Sequence, residues 1–273
     1  MTVLDLFNLT GQVAIVTGGA RGLGRQMALA LAEAGADVAI CDLLEAEARQ
    51  TAAELRALGR RAISGKVDVT RVDEIEAFIA QVVEQLGKID ILVNNAGMPS
   101  DGLPLHEEPD DAWRKMIDTN LSSMFYFGKR VAQHMIERQQ ADERQQADER
   151  QQGGVIINLG SINSFVISNI APRHNVPYCV AKAGVAQLTR GMAANWAPYN
   201  IRVNAIAPGT MLTAQTAASR KNPEIMERII ANTPMKRYGD EPEIKGLVVY
   251  LASSASTFMT GSVIVMDGGM LIW

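Results

Sequence analysis

Two cysteines, Cys41 and Cys179, and three histidines are all that the 273 residues offer for disulfides or soft metal ligation. Two cysteines build no disulfide framework, so a reducing compartment is expected. The histidines are scattered and show no metal-ligand spacing, so no metal is expected. Basic residues are not in excess: the formal charge is −4, which leaves no electrostatic footprint for nucleic acid. No apolar run reaches the roughly 18 residues of a membrane span. The opening MTVLDLFNLTGQ lacks a basic segment leading into an apolar run, so no signal peptide is expected. Together these absences point to a cytoplasmic protein with neither a nucleic-acid nor a membrane partner.

What is present is ordinary for a globular chain of this size: 47% hydrophobic and 21% charged residues, enough for a substantial core. Short apolar runs predict strands over 13–16, 37–41, 62–67, 89–93, 155–159, 201–206 and 263–266. Helical patterns lie between them, over 25–34, 43–58, 72–86, from 110 onward, and over 176–196. Strands that are apolar throughout and alternate with helices predict a parallel sheet covered on both faces. No linker divides the chain, so residues 1–273 are read as a single domain with an α/β, doubly wound sheet of seven strands.

The most unusual stretch is ERQQADERQQADERQQGG, residues 137–154, in which a six-residue unit runs twice and begins again. Without two hexamers the sequence reads AQHMIERQQGGVIINLGS, an ordinary helix end, glycine stop and strand. The insertion over about 137–152 is therefore two extra copies of a helix end. Helices in such sheets end at the edge where strands begin, whereas ligands bind beyond the carboxyl ends of the strands. The repeat is expected to lie away from the chemistry, as a solvated arm or an assembly contact.

Thr17-Gly18-Gly19-Ala20-Arg21-Gly22-Leu23-Gly24 joins the first strand to the first helix. Glycines let the backbone approach a pyrophosphate, and the helix N-terminus offers free N–H groups and a positive dipole. Gly18, Arg21, Gly22, Leu23 and Gly24 are thus candidate dinucleotide contacts, which makes the sheet Rossmann-type. Asp42 ends the second strand, where a carboxylate accepts from an adenosine ribose and repels a 2′-phosphate. That favours NAD, with NADP less favoured. Arg21 argues the other way, because a cation in the loop can pair with that phosphate.

Tyr178-Cys179-Val180-Ala181-Lys182 places a phenol and an ammonium four apart, on one helical face. A nearby cation favours phenolate, and such a tyrosine can take a proton from an alcohol or return it to a carbonyl. Asn94-Asn95-Ala96-Gly97, Ser161 and Pro208-Gly209 fall at or just beyond the carboxyl ends of consecutive strands. Asn120 lies inside the long helix, where Asn is a poor helix former.

With these motifs the sequence resembles the short-chain dehydrogenase/reductase family, in its compact single-domain branch, over nearly its whole length. The resemblance rests on TGGARGLG, Asp68-Val69, NNAG, Asn120, Ser161, YCVAK, Pro208-Gly209 and Asp267-Gly268-Gly269. It implies that Tyr178 is the general acid/base and that Lys182 binds the nicotinamide ribose and lowers the tyrosine pKa. Ser161 would hold the substrate oxygen and Asn120 a water in the proton path. Asp68 and Val69 would contact adenine, and Asn94, Ala96 and Gly97 would line the nucleotide cleft. Thr210 and Thr213 would lie near the carboxamide, beyond Pro208 and Gly209. The resemblance also implies a homotetramer, assembled through the long helix and the Tyr178 helix.

Seventeen positions separate Ser161 from Tyr178, more than the family usually has, and this makes Ser164 a rival for the serine role. Ser161 is preferred because it directly follows a strand. The lengthened loop carries Asn163, Ser164, Ser168, Asn169, Arg173, His174 and Asn175, donors and acceptors suited to a hydroxylated small molecule. Asn163, Ser164 and His174, with Ser161, are the candidate substrate contacts. Leu212, Ile225, Met226, Ile229 and Ile230 offer an apolar wall instead. The expected function is hydride transfer between NAD and a secondary alcohol, in a polyol, sugar or sugar acid. An NADPH-dependent reductase of 3-oxoacyl carrier-protein type and a non-catalytic dinucleotide sensor or scaffold remain as alternatives.

Overall fold

The computed structural model describes residues 2–99, 103–144, 153–167 and 175–272. The first apolar run forms β1 (Val13–Thr17), buried at every position, and turns through the glycine-rich loop into α1 (Gly22–Glu33). Then come β2 (Asp37–Asp42), α2 (Glu45–Ala57), β3 (Ala62–Lys66), α3 (Val72–Leu86) and β4 (Ile91–Asn94). The long helix is divided into α4 (Asp110–Ile117) and α5 (Ser123–Arg144) by a π turn at Asp118–Ser122. The chain continues through β5 (Gly154–Leu159), α6 (Val176–Trp196), β6 (Ile201–Pro208), α7 (Ala217–Arg220), α8 (Pro223–Asn232), α9 (Ile244–Ala252) and β7 (Val263–Met266).

The seven strands form one sheet in the order β3-β2-β1-β4-β5-β6-β7, every pair parallel. This is the doubly wound Rossmann-type sheet read from the sequence. The order reverses between β1 and β4, which opens a crevice beyond their carboxyl ends. One face of the sheet packs on α1, α2 and α9, through residues such as Met27, Leu31, Leu55 and Val248. The other face packs on α3, α5 and α6, through Ile75, Phe78, Phe127, Val131 and Met192. Strands apolar at nearly every position are what a sheet covered on both faces requires.

Predicted and observed strands agree within about two residues at each end, the usual scatter of element boundaries. The π turn and helices α7, α8 and α9 are not among the sequence expectations. Helix α9 is a true core element: Ile244, Val248 and Leu251 are fully buried.

The repeat begins as expected, as the last turns of α5; residues 145–152 lie outside the described residues. Arg138, inside the repeat, donates to the Ile89 carbonyl at 3.1 Å and pairs with Asp90 at 2.8 Å. Asp90 also accepts from the backbone N–H of Val13, the first residue of β1. The start of the repeat is therefore fixed at the edge where the strands begin, opposite the crevice. The glycines after the repeat do more than stop a helix: a Cβ on Gly154 would lie 2.2 Å from the Met135 sulfur.

Candidate active site

A cleft of about 980 Å³ runs along the carboxyl ends of the strands. That is near the upper end of ligand-pocket sizes, about 300–1,000 Å³. Its floor begins at the glycine-rich loop. A Cβ on Gly24 would stand 2.1 Å from the Gly18 carbonyl oxygen, so this position accepts only glycine. Gly22 has a φ of +58° and faces open space, with nothing closer to a Cβ than Glu241 Oε1 at 3.9 Å. A bare backbone at the first turn of α1, beside an open cleft, fits a dinucleotide pyrophosphate.

Asp42 lines the cleft at the end of β2. One carboxylate oxygen accepts from the Ala20 N–H and the other from the Leu44 N–H, both at 3.1 Å. The loop thus fixes the carboxylate while each oxygen keeps acceptor capacity. Arg21, Leu23, Asp68, Val69, Ala96, Gly97, Pro208, Gly209, Thr210 and Thr213 line the same cleft.

Asn94 does not line it. Its amide donates to the Asn158 side chain at 2.9 Å and to the Met124 carbonyl at 3.3 Å, and the residue is buried. Its neighbour Asn95 lines the cleft instead and ties the glycine loop down, donating to the carbonyls of Thr17 and Gly18, both at 2.9 Å.

Asn120 sits in the π turn, fully buried. Its Oδ1 accepts from the Met98 N–H at 2.7 Å, and its Nδ2 donates to the Met98 carbonyl at 2.9 Å and to the Met116 sulfur. Both amide protons are therefore committed, and Oδ1 keeps one acceptor position. Single π turns recur at functional sites, where they re-aim a helical side chain.

Helix α6 starts where the Asn175 side chain accepts from the Tyr178 N–H at 3.2 Å, with Pro177 in the first turn. One turn later Lys182 is 3% exposed and donates to the Leu159 carbonyl at 2.7 Å. Its ammonium stands 5.6 Å from the centre of the Tyr178 ring. Burial pushes the Lys182 pKa down to about 8. Tyr178, Ser161 and Gln215 line the same cleft.

Burial has the largest influence on Tyr178 and raises its pKa; the Ser161 and Gln215 side chains pull it down. The ammonium is directed to the Leu159 carbonyl rather than to the phenol oxygen.

The two serines divide cleanly. Ser161 lines the cleft, meets Tyr178, and accepts from the Asn163 N–H at 3.2 Å. Ser164 donates to the Lys182 carbonyl at 2.7 Å and accepts from the Ser161 N–H at 3.4 Å, so it closes the short turn over Ile162–Ser164. Asn163 lines the cleft, and its side-chain oxygen is buried with no hydrogen-bond partner among the described residues. Ser168, Asn169, Arg173 and His174 lie outside the described residues.

Leu212, Ile225, Met226, Ile229 and Ile230 do not form a wall of the cleft. Leu212, Ile225, Ile229 and Ile230 pack with Tyr238 and Met270 in a small core of their own, and Met226 is exposed. Thr213, Gln215, Thr216 and Ser219 face the cleft instead. Gln215 was missed in the sequence, where no periodicity or motif marks it. Among the described residues no group of three or more His, Cys, Asp or Glu could hold a metal ion. No described helix is long and apolar enough to cross a membrane.

A family model described as enoyl-(acyl carrier protein) reductase matches residues 18–271. The 2-dehydro-3-deoxy-D-gluconate 5-dehydrogenase of Escherichia coli K12 is 38% identical over 271 residues, covering 98% of this chain and 99% of that one. The chain belongs to the short-chain dehydrogenase/reductase family. The galactitol 2-dehydrogenase of Rhizobium johnstonii is 36% identical, with each chain covered in full. A solved gluconate 5-dehydrogenase from Burkholderia cenocepacia, in complex with NADP and tartrate, superposes with a TM-score of 0.89 at 35% identity, each chain again fully covered. As a member of this family the protein is an NAD(P)-dependent dehydrogenase acting on CH–OH groups.

Proposed function

We propose that the protein interconverts a secondary alcohol and its ketone in a polyol, sugar or sugar acid, with NAD as the preferred cofactor. The observation that carries this reading is the meeting of Tyr178, Ser161 and Lys182 in a cleft bordered by Asn163, Thr213, Gln215, Thr216 and Ser219. Those side chains are amides and hydroxyls, groups of the kind that bond substrate hydroxyls. The sugar-acid and polyol dehydrogenases among the relatives support the same substrate class. The 3-oxoacyl alternative is less favoured, because Leu212, Ile225, Ile229 and Ile230 pack against one another rather than along the cleft.

The dinucleotide, when bound, supplies the hydride acceptor or donor. Ser161 holds the substrate oxygen against the Tyr178 hydroxyl. As phenolate, Tyr178 removes the alcohol proton; as phenol, it returns a proton to the ketone oxygen. Lys182 places a cation by the nicotinamide ribose and the phenol, where it steadies developing phenolate charge. Asn120 fixes the Met98 backbone at the cleft wall, and its remaining acceptor position is where we place the relay water. Gly18, Gly22 and Gly24 seat the pyrophosphate, and Asp68 and Val69 border the adenine. Asp42, held by two backbone N–H groups, receives the adenosine ribose and disfavours a 2′-phosphate. Arg21 and the NADP held by the Burkholderia relative weigh on the other side.

Exposed Trp113, Phe125 and Val180 on α4, α5 and α6 support the proposed homotetramer, which sedimentation tests directly. Cofactor and substrate class are tested together by initial rates on galactitol, gluconate and simple secondary alcohols with each dinucleotide. Higher kcat/KM with NAD and with the polyhydroxy compounds is the expected result. A preference for NADP refutes the role of Asp42, and a preference for simple alcohols refutes the substrate class.

A further inference from the structure

The bare face of Gly22 is bordered by a charge. Among the described residues beyond its own turn, the only heavy atom within 4 Å of where a Gly22 Cβ would stand is Glu241 Oε1, at 3.9 Å. Glu241 opens the short turn Glu241–Glu243, which leads into α9. Ile244, Val248 and Leu251 of α9 share one core with Met27 and Leu31 of α1. Packing of the two helices thus brings the carboxylate to the first turn of α1. The nearby Glu243 is committed elsewhere: its oxygens accept from Arg237 at 2.7 and 2.8 Å, and one also accepts from the Asp240 N–H at 2.7 Å. Glu241 has no such partner for its carboxylate among the described residues.

A pyrophosphate seated at Gly22 therefore meets opposing fields. The N–H groups and dipole at the start of α1 favour it. Arg21, which lines the cleft one residue earlier, attracts it as well. The Glu241 carboxylate repels it, because like charges at such short range act on each other even near solvent. We infer that Glu241 is a tuning residue for the dinucleotide, which weakens the hold on the pyrophosphate and speeds release of the spent cofactor. The inference rests on the seating of the pyrophosphate at Gly22 proposed above, and deepens it. The role differs from that of Asp42. Asp42 acts at the adenosine ribose, where NAD and NADP differ; Glu241 acts on the pyrophosphate that both carry, so it affects both alike. A dinucleotide is exchanged in every turnover, and product release limits many enzymes, so a weaker hold serves the rate.

The test is the binding of ADP-ribose, which carries the pyrophosphate without the nicotinamide, followed by calorimetry on wild type, Glu241→Gln and Glu241→Asp. Glu241→Gln keeps the shape and removes the charge; in low salt it should bind ADP-ribose about threefold or more tightly than the wild type. Glu241→Asp keeps the charge and should stay near the wild type. At about 1 M salt, where the screening length is about 3 Å, the difference between wild type and Glu241→Gln should largely close. Equal or weaker binding in Glu241→Gln, a Glu241→Asp that matches Glu241→Gln, or a difference that salt leaves unchanged would overturn the inference. Gly22→Ala separates the inference from its premise. Its methyl meets nothing in the protein closer than Glu241, yet it fills the bare face, so it should lose ADP-ribose binding. Unchanged binding in Gly22→Ala would overturn the seating of the pyrophosphate and the inference with it. Loss in Gly22→Ala beside an unmoved Glu241→Gln would overturn the inference alone.

Discussion

At the scale of single residues, the site is governed by where burial places charge. Lys182 is almost fully buried with one hydrogen bond, to the Leu159 carbonyl. Its pKa falls from 10.5 to about 8. A lysine depressed in the folded state costs stability while it is charged, and the cost is relieved as pH rises from about 8 towards 10.5, where the unfolded chain holds the extra proton. Wild-type stability should therefore rise over that window relative to Lys182→Met, by up to about 3 kcal/mol. Denaturant titrations of both proteins across the window measure the gap; a constant gap would show that the buried lysine is not depressed. The serines give a second residue-scale prediction. Ser161→Ala should lower kcat/KM about 10²-fold or more, as for loss of a donor at the reacting oxygen. Ser164→Ala should retain most activity and lose about 1 kcal/mol of stability, because its hydroxyl joins two backbone groups of the fold. The reverse order in a kinetic comparison would exchange their roles. Spacing alone left these serines as rivals, because which of two nearby hydroxyls faces the helix backbone depends on the turn over Ile162–Ser164, which periodicity does not encode.

At the scale of elements, the strands were legible because burial on both faces leaves apolar runs that nothing else in the chain produces. The long helix was legible as a helix but not as a broken one. The π turn depends on Asn120 reaching back to both backbone groups of Met98, a contact between segments distant in sequence. Helix α9 is apolar and short, without the polar face that marks an amphipathic helix, and α8 buries its apolar side against a small satellite core rather than the sheet. The repeat supplies the prediction at this scale. Deleting residues 137–148 leaves Glu149 and Arg150 where Glu137 and Arg138 stood, so an arginine is again placed to reach Asp90. The deletion should fold and keep turnover near the wild-type rate. Large loss of activity in a folded, equally assembled deletion would contradict the placement of the repeat at the far edge of the sheet.

At the scale of the whole molecule, one parallel sheet separates two kinds of work. The edge where strands begin holds the Arg138 and Asp90 cluster and the start of the repeat. The edge where they end holds the glycine loop, Asp42, Ser161, Tyr178 and the polar turn around Gln215 in one continuous cleft. The proposed cofactor and substrate subsites are adjacent because the strand order reverses between β1 and β4. In the proposed chemistry, proton transfer at this edge passes through Tyr178. Absorbance at the reduced-nicotinamide band, followed for wild type and Tyr178→Phe on the same alcohol, tests it most directly, with quenching of protein fluorescence to confirm that both bind the dinucleotide. In Tyr178→Phe, kcat should fall about 10²- to 10⁴-fold with dinucleotide binding unchanged. Turnover at the wild-type rate in Tyr178→Phe would contradict it.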